Sequence, residues 1–237
     1  MDIKGKTALV TGASRGLGFA TAELLARRGA NLVIAARHAD ELETAVLWLR
    51  QHADVVSVAT DISEDAEAVV AAGLASFGSV DILINNASEL GPSPMPSLAE
   101  LPWQAMERIL RVNVTAALHL VQLVLPSMLE RGHGTIINVS SDAGVNAYPG
   151  WGGYGASKAA LEHLGRTLAV ELDGSGIRVL TVDPGDMDTQ MHRDAEPGVD
   201  LSHLAKPETV APALIALLED DNAVGRYELQ SLLAVAR

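Results

Sequence analysis

Tyr154 and Lys158 stand four residues apart in a stretch with helical patterning, which puts a phenol and an ammonium on one face of a helix. A phenol is a poor base at neutral pH because its ordinary pKa is about 10, but a neighbouring cation favours the phenolate and lowers that value. Such a pair can exchange a proton with a reacting oxygen. Ser141 follows the strand-like run 134–140 and offers a hydroxyl that could hold the same oxygen. Ser140 is the adjacent candidate, and successive strand residues point to opposite sides.

The second constellation is Thr11-Gly12-Ala13-Ser14-Arg15-Gly16-Leu17-Gly18, where a strand ends and a helix begins. Backbone N–H groups at a helix N-terminus can meet a pyrophosphate, so this is the expected place for a dinucleotide. Gly12 would relieve the tight turn, Gly16 would let backbone approach phosphate, and Gly18 would let helix and sheet meet. The next strand ends in Ala35-Ala36-Arg37, with no carboxylate to bond a ribose 2′-hydroxyl. Arg37 and Arg15 can instead place two guanidinium groups around a 2′-phosphate, which favours NADP(H) over NAD(H).

These motifs, in this order and spacing, resemble the short-chain dehydrogenase/reductase family. TGASRGLG has the family's TGxxxGxG form, and the likeness continues through Asp61-Ile62, Asn85-Asn86-Ala87, Asn113, Ser141, Tyr154-Gly155-Ala156-Ser157-Lys158 and Pro184-Gly185. The resemblance implies reversible hydride transfer between a nicotinamide and a carbonyl or secondary alcohol carbon. Tyr154 would be proton donor and acceptor, Ser141 the holder of the substrate oxygen, and Asn113 the holder of a water that relays protons to Lys158. Cofactor contacts would come from Gly12, Ser14, Arg15, Gly16, Leu17 and Gly18, from Arg37, and from Tyr154, Lys158, Pro184 and Gly185. Asp61 and Ile62 would meet the adenine, Asn85 and Ala87 would line the path to the nicotinamide, and Thr189 would meet its carboxamide. Two departures stand out: Ser88 where the family usually has glycine, and a tail, 225–237, without the glycine pair of many relatives. A regulatory or scaffold protein that binds nucleotide without turnover, or an epimerase or lyase with bound NAD(P), would use the same fold.

To position these groups the chain needs an α/β fold. Apolar, β-branched runs at 7–11, 32–36, 55–60, 81–85, 135–140 and 178–182 alternate with helical patterns at 16–28, 39–52, 64–77, 102–131, 154–173 and 207–220. A seventh strand is expected at 226–230. This alternation predicts one doubly wound parallel sheet, Rossmann-like, with helices on both faces and residues 1–237 in a single domain. The irregular stretch 186–206 follows a strand's carboxyl end and reads as a substrate loop, joined by 88–96 and 142–151.

Composition narrows the partners. The 237 residues carry 17 Lys and Arg against 30 Asp and Glu, a formal charge of −13, which opposes contact with nucleic acid or anionic lipid. There are no cysteines, so thiolate metal sites, disulfides and a cysteine nucleophile are excluded, and a reducing cytoplasm fits. Asp186, Asp188 and His192 lack a recognised ligand spacing, and no metal is expected. The N-terminus runs straight into a strand, leaving no room for a signal core, and the apolar stretch 109–129 is interrupted by Arg111, Asn113, His119, Gln122 and Pro126, so it reads as a buried helix rather than a membrane span. The helices carrying Asn113 and Tyr154 are apolar on more than one face, and the family resemblance implies pairing across a two-fold axis as a homodimer or homotetramer.

Overall fold

A strand covered on both faces must present apolar side chains in both directions, because successive residues point opposite ways. The computed structural model, which describes residues 1–235, has seven strands, the inner five covered on both faces and the two edge strands partly exposed. They are β1 (Thr7–Thr11), β2 (Asn31–Ala36), β3 (Val55–Ala59), β4 (Ile82–Asn85), β5 (Gly134–Val139), β6 (Ile177–Asp183) and β7 (Gly225–Glu228). All pair in parallel, in the order β3-β2-β1-β4-β5-β6-β7. The order reverses between β1 and β4, and a crevice opens there beyond the strands' carboxyl ends.

The helices are α1 (Gly16–Arg27), α2 (Ala39–Leu49), α3 (Ala66–Phe77), α4 (Trp103–Leu110), α5 (Ala116–Arg131), α6 (Gly152–Glu171), α7 (Gln190–Ala195), α8 (Pro207–Glu219) and α9 (Leu229–Val235). Ala8, Val10, Ile34, Ile84 and Val182 pack on one side of the sheet with α1, α2 and α8. The intervening Leu9, Val33, Leu83, Ile136 and Val179 pack on the other with α3 and α5. One-residue alternation along each strand thus feeds two separate cores.

Four sequence expectations need correcting. The helix expected at 102–131 is α4 and α5 joined by a π-helical turn, Arg111–Thr115, and Asn113 sits in that turn. One extra residue in a turn leaves the hydrophobic period almost unchanged, so the pattern does not register it. The helix carrying Tyr154 begins two residues earlier, at Gly152. The seventh strand ends at Glu228, and Leu229 and Gln230 open α9, where Leu229 is fully buried. The loop 186–206 is not structureless: Thr189 caps α7, accepting from the His192 N–H at 3.2 Å, and Met187 bridges Ala205. Of the tail, Ala236 and Arg237 lie outside the described residues.

A charged cluster ties β7 to the floor of the crevice. Arg226 donates to Glu162 Oε1 at 3.0 Å and to Asp183 Oδ2 at 2.8 Å, and both carboxylates are buried. Glu162 also accepts from the Ser140 hydroxyl at 2.7 Å. Burial pushes the Asp183 carboxyl above its ordinary range against the hydrogen bond from Gly185 and the pull of Arg226. Removing one partner of a buried ion pair strands the others without solvent. Arg226→Met should therefore lower unfolding free energy by about 3 kcal/mol in urea titrations. A loss below about 1 kcal/mol, the worth of a surface pair, would show that this cation does not hold the cluster.

Candidate active site

The turn between β1 and α1 is built from what glycine lacks. A Cβ on Gly12 would meet Ala87 Cα and Asn86 Nδ2 at 2.9 Å, and one on Gly18 would meet the Gly12 carbonyl oxygen at 2.4 Å. Gly12 thus lets β1 touch the segment after β4, and Gly18 lets α1 start directly against the turn. At Gly16, with φ of +59°, the same position opens into the crevice, the nearest atom being Thr189 Cγ2 at 3.9 Å. No side chain caps the N-terminus of α1. The uncapped helix start and the open space at Gly16 fit a pyrophosphate.

The crevice encloses about 540 Å³. Gly12, Ser14, Arg15, Gly16, Leu17, Arg37, Asp61, Ile62, Ala87, Tyr154, Lys158, Pro184 and Thr189, all singled out from the sequence, line it. Gly18 lies beneath the turn. Asn85 does not face the crevice: its amide donates to Asn138 Oδ1 at 2.9 Å and to the Ala117 carbonyl at 3.4 Å inside the sheet. Asn86 takes the facing position and locks the turn, donating to the Thr11 and Gly12 carbonyls at 2.8 and 3.2 Å. At the outer end Arg37 pairs with Glu89 at 2.8 Å, and Arg15 pairs with Glu41 at 3.1 Å. Asp61 is held by Arg108 and Ser63; burial would raise its carboxyl, but these hydrogen bonds together bring it below the ordinary value.

A second cleft, of about 580 Å³, meets the first at Tyr154, Ser140, Pro184, Met187, Thr189 and Met191. Ser141 and Gly185 line this second cleft. Strand alternation separates the two serines: Ser140 turns to Glu162, whereas the Ser141 hydroxyl donates to Asp142 Oδ1 at 3.1 Å. Across the floor, α9 contributes a residue the sequence did not mark, Gln230, whose amide holds the Pro184 and Asp186 carbonyls at 3.0 and 2.8 Å. Asp186 and His192 approach to 3.9 Å, while Asp188 pairs with Arg193.

Tyr154 is 8% exposed and Lys158 2%. The Lys158 ammonium donates to the Val139 carbonyl at 2.8 Å and lies 5.4 Å from the centre of the Tyr154 ring. Helical spacing does bring the two together, but the ammonium sits over the ring, and the expected lowering of the phenol does not arise from the protein alone. Burial raises the Tyr154 hydroxyl well above its ordinary value, and the carboxylates of Asp183 and Asp142 push it the same way. The neighbouring hydroxyls of Ser88 and Ser141 oppose this, Ser88 more strongly. Ser88 therefore belongs to the site, a role that its identity as a small substitute for glycine did not reveal.

Asn113 is buried beside this pair. Its amide donates to the Glu89 carbonyl and Ser157 Oγ, both at 2.9 Å, and its oxygen accepts from the Glu89 N–H at 2.6 Å and Ser88 Oγ at 3.2 Å. Its side chain pins the loop after β4 to α6, with all its polar capacity used by protein. Burial pulls Lys158 down to about 8 from its ordinary value of 10.5. Between those values the unfolded chain binds more protons at this position, so the cost of burying Lys158 falls as pH rises. Wild type should gain about 2 kcal/mol over Lys158→Met between about pH 7.5 and about pH 9.5 in urea unfolding; a constant difference would show that the lysine is not desolvated.

The family model for short chain dehydrogenases matches residues 6–200. An uncharacterised oxidoreductase of Listeria monocytogenes is 36% identical over 224 residues, covering 91% of this chain and 89% of that protein. Among solved structures, an NAD⁺-bound xylitol dehydrogenase superposes with a TM-score of 0.86 at 26% identity, over 96% of this chain and 98% of that one. A short chain dehydrogenase of Shigella flexneri complexed with NADP has a TM-score of 0.86 at 27% identity, over 97% and 99%. Matching motifs, sheet order and length over nearly the whole chain leave one assignment: the protein belongs to the short chain dehydrogenase family of oxidoreductases.

Proposed function

We propose that the protein is an NADP(H)-preferring carbonyl reductase or alcohol dehydrogenase acting on a small molecule. The observation that carries this reading is the place of Tyr154, where a crevice fitted to a dinucleotide meets a second cleft. When bound, a nicotinamide dinucleotide supplies or accepts the hydride. Gly16 and the start of α1 would hold its pyrophosphate, and Thr189, Pro184 and Lys158 would line its reactive end. Ser141 fixes the substrate oxygen by a hydrogen bond, and Tyr154 delivers a proton to it or removes one. The buried, protonated phenol is the form that carbonyl reduction requires. Lys158 holds the Tyr154 ring in place and keeps a positive charge beside it.

Preference for NADP(H) is supported by Ala36, which puts no carboxylate at the end of β2, and by Arg15 and Arg37 at the crevice mouth. Both arginines hold carboxylate partners that a 2′-phosphate would replace. Absence of cysteine supports placement in the cytoplasm, and the outward Leu129 of α5 and Val170 of α6 support a homodimer or homotetramer built on those helices.

Purified protein should oxidise NADPH in the presence of one or more ketones or aldehydes from a broad panel, and Tyr154→Phe should lower that rate by about 10²-fold or more. Equal rates in the two proteins would remove Tyr154 from the chemistry. Arg37→Asp should weaken NADPH binding at least about ten-fold more than NADH binding, measured by quenching of protein fluorescence; equal losses would refute the 2′-phosphate role.

A further inference from the structure

The second cleft has a charge of its own. Asp142, Asp186 and Glu196 line it, and among the described residues no Lys or Arg does. Asp183, also in its wall, is matched from behind by Arg226. His192 lies between Asp186 and Glu196, at 3.9 and 3.6 Å, and His203 also lines the cleft, so even with both imidazoles charged the three carboxylates leave it negative. The rest of the wall includes the aromatic faces of Trp151 and Tyr148 and the thioethers of Met187 and Met191. A low-dielectric cleft with carboxylates and aromatic faces attracts cations and repels anions.

Asp142 gives that charge a position. Its Oδ2 accepts from the Tyr148 hydroxyl at 2.6 Å, which fixes the carboxylate, and its Oδ1 takes the Ser141 proton at 3.1 Å. The same carboxylate is close enough to Tyr154 to raise the phenol. Two groups one hydrogen bond apart therefore face the reacting centre: a hydroxyl for the substrate oxygen and a carboxylate for its neighbour. That separation matches an oxygen and a nitrogen on adjacent carbons.

We propose that the substrate is an α-ammonio ketone, and the product of its reduction a vicinal amino alcohol, with the ammonium on Asp142. The proposal rests on the hydride-transfer reading above and adds the substrate class. An ammonium at Asp142 Oδ1 takes the place of the Ser141 hydroxyl there, and the freed hydroxyl turns its proton to the ketone oxygen. The carbonyl carbon accepts hydride from the reduced nicotinamide, the C=O π pair moves to oxygen, and that oxygen takes the Tyr154 proton. Solvent returns a proton to Tyr154. The ammonium is neither made nor lost. A neutral ketone leaves Ser141 bonded to Asp142, and a carboxylate in the same place meets like charge.

The test compares three ketones of one skeleton with saturating NADPH: 1-aminopropan-2-one as the ammonium, 1-hydroxypropan-2-one, and acetoacetate. Wild type should show kcat/KM at least about ten-fold higher for the ammonium than for the hydroxy ketone, and lowest for acetoacetate. In Asp142→Asn the ratio of ammonium to hydroxy ketone should fall to near one, whatever happens to the common rate. A preference for the hydroxy ketone or acetoacetate, or a ratio unchanged in Asp142→Asn, overturns the proposal while leaving hydride transfer standing. Absence of Tyr154-dependent reduction of all three overturns this proposal, and only its absence across the broad carbonyl panel overturns hydride transfer as well.

Discussion

A parallel sheet packed with helices on both faces is wet only at its ends and edges, and in this protein the five inner strands are sealed by two cores while β3 and β7 are partly exposed. The site lies at the carboxyl edge, with the first crevice where strand order reverses between β1 and β4 and the second cleft beyond β5 and β6. Every reactive group answers to that constraint. Thr11 and Gly12 come from the end of β1, Asn86 to Glu89 from the end of β4, Ser140 and Ser141 from the end of β5, and the 184–189 segment from the end of β6. Only Tyr154 and Lys158 come from within a helix, and α6 lies along β5 and β6 so that its first turns reach the same edge.

Confinement carries an electrostatic cost, and the site uses it. Burial moves Tyr154 and Lys158 in opposite directions, the phenol up and the ammonium down, so each is pushed towards its neutral form. A neutral phenol is a proton donor, and an ammonium with one backbone partner at Val139 is held weakly enough to respond to what arrives beside it. One turn further along α6 Glu162, together with Asp183 at the end of β6, is kept by Arg226, so a tunable cation and a fixed ion cluster follow one another on the same helix face.

Much of this was legible in the sequence, because the relevant signals are local. Strands show as β-branched runs, the phosphate turn as three closely spaced glycines between a strand and a helix, and the Tyr154–Lys158 pair as a four-residue spacing. What escaped depended on contacts between segments. Asn85 and Asn86 are adjacent and chemically identical, and only pairing across to Asn138 decides which one leaves the crevice. Ser88 looks like a tolerated replacement until Asn113 and Tyr154 are placed around it. The π turn at Asn113 and the capped α7 are too short to alter a hydrophobic period, and α9 was hidden because Leu229 and Gln230 extend a strand pattern as readily as they start a helix.

The ion pairs at the crevice mouth have a kinetic corollary. With Arg15 neutralised by Glu41 and Arg37 by Glu89, the entrance presents little net field to a polyanion approaching through an already acidic molecular surface. Long-range steering is then slight. On the proposed 2′-phosphate reading, capture would be an exchange of one anion for another at contact, and selectivity between dinucleotides would reside in how fast each one leaves rather than in how fast it arrives.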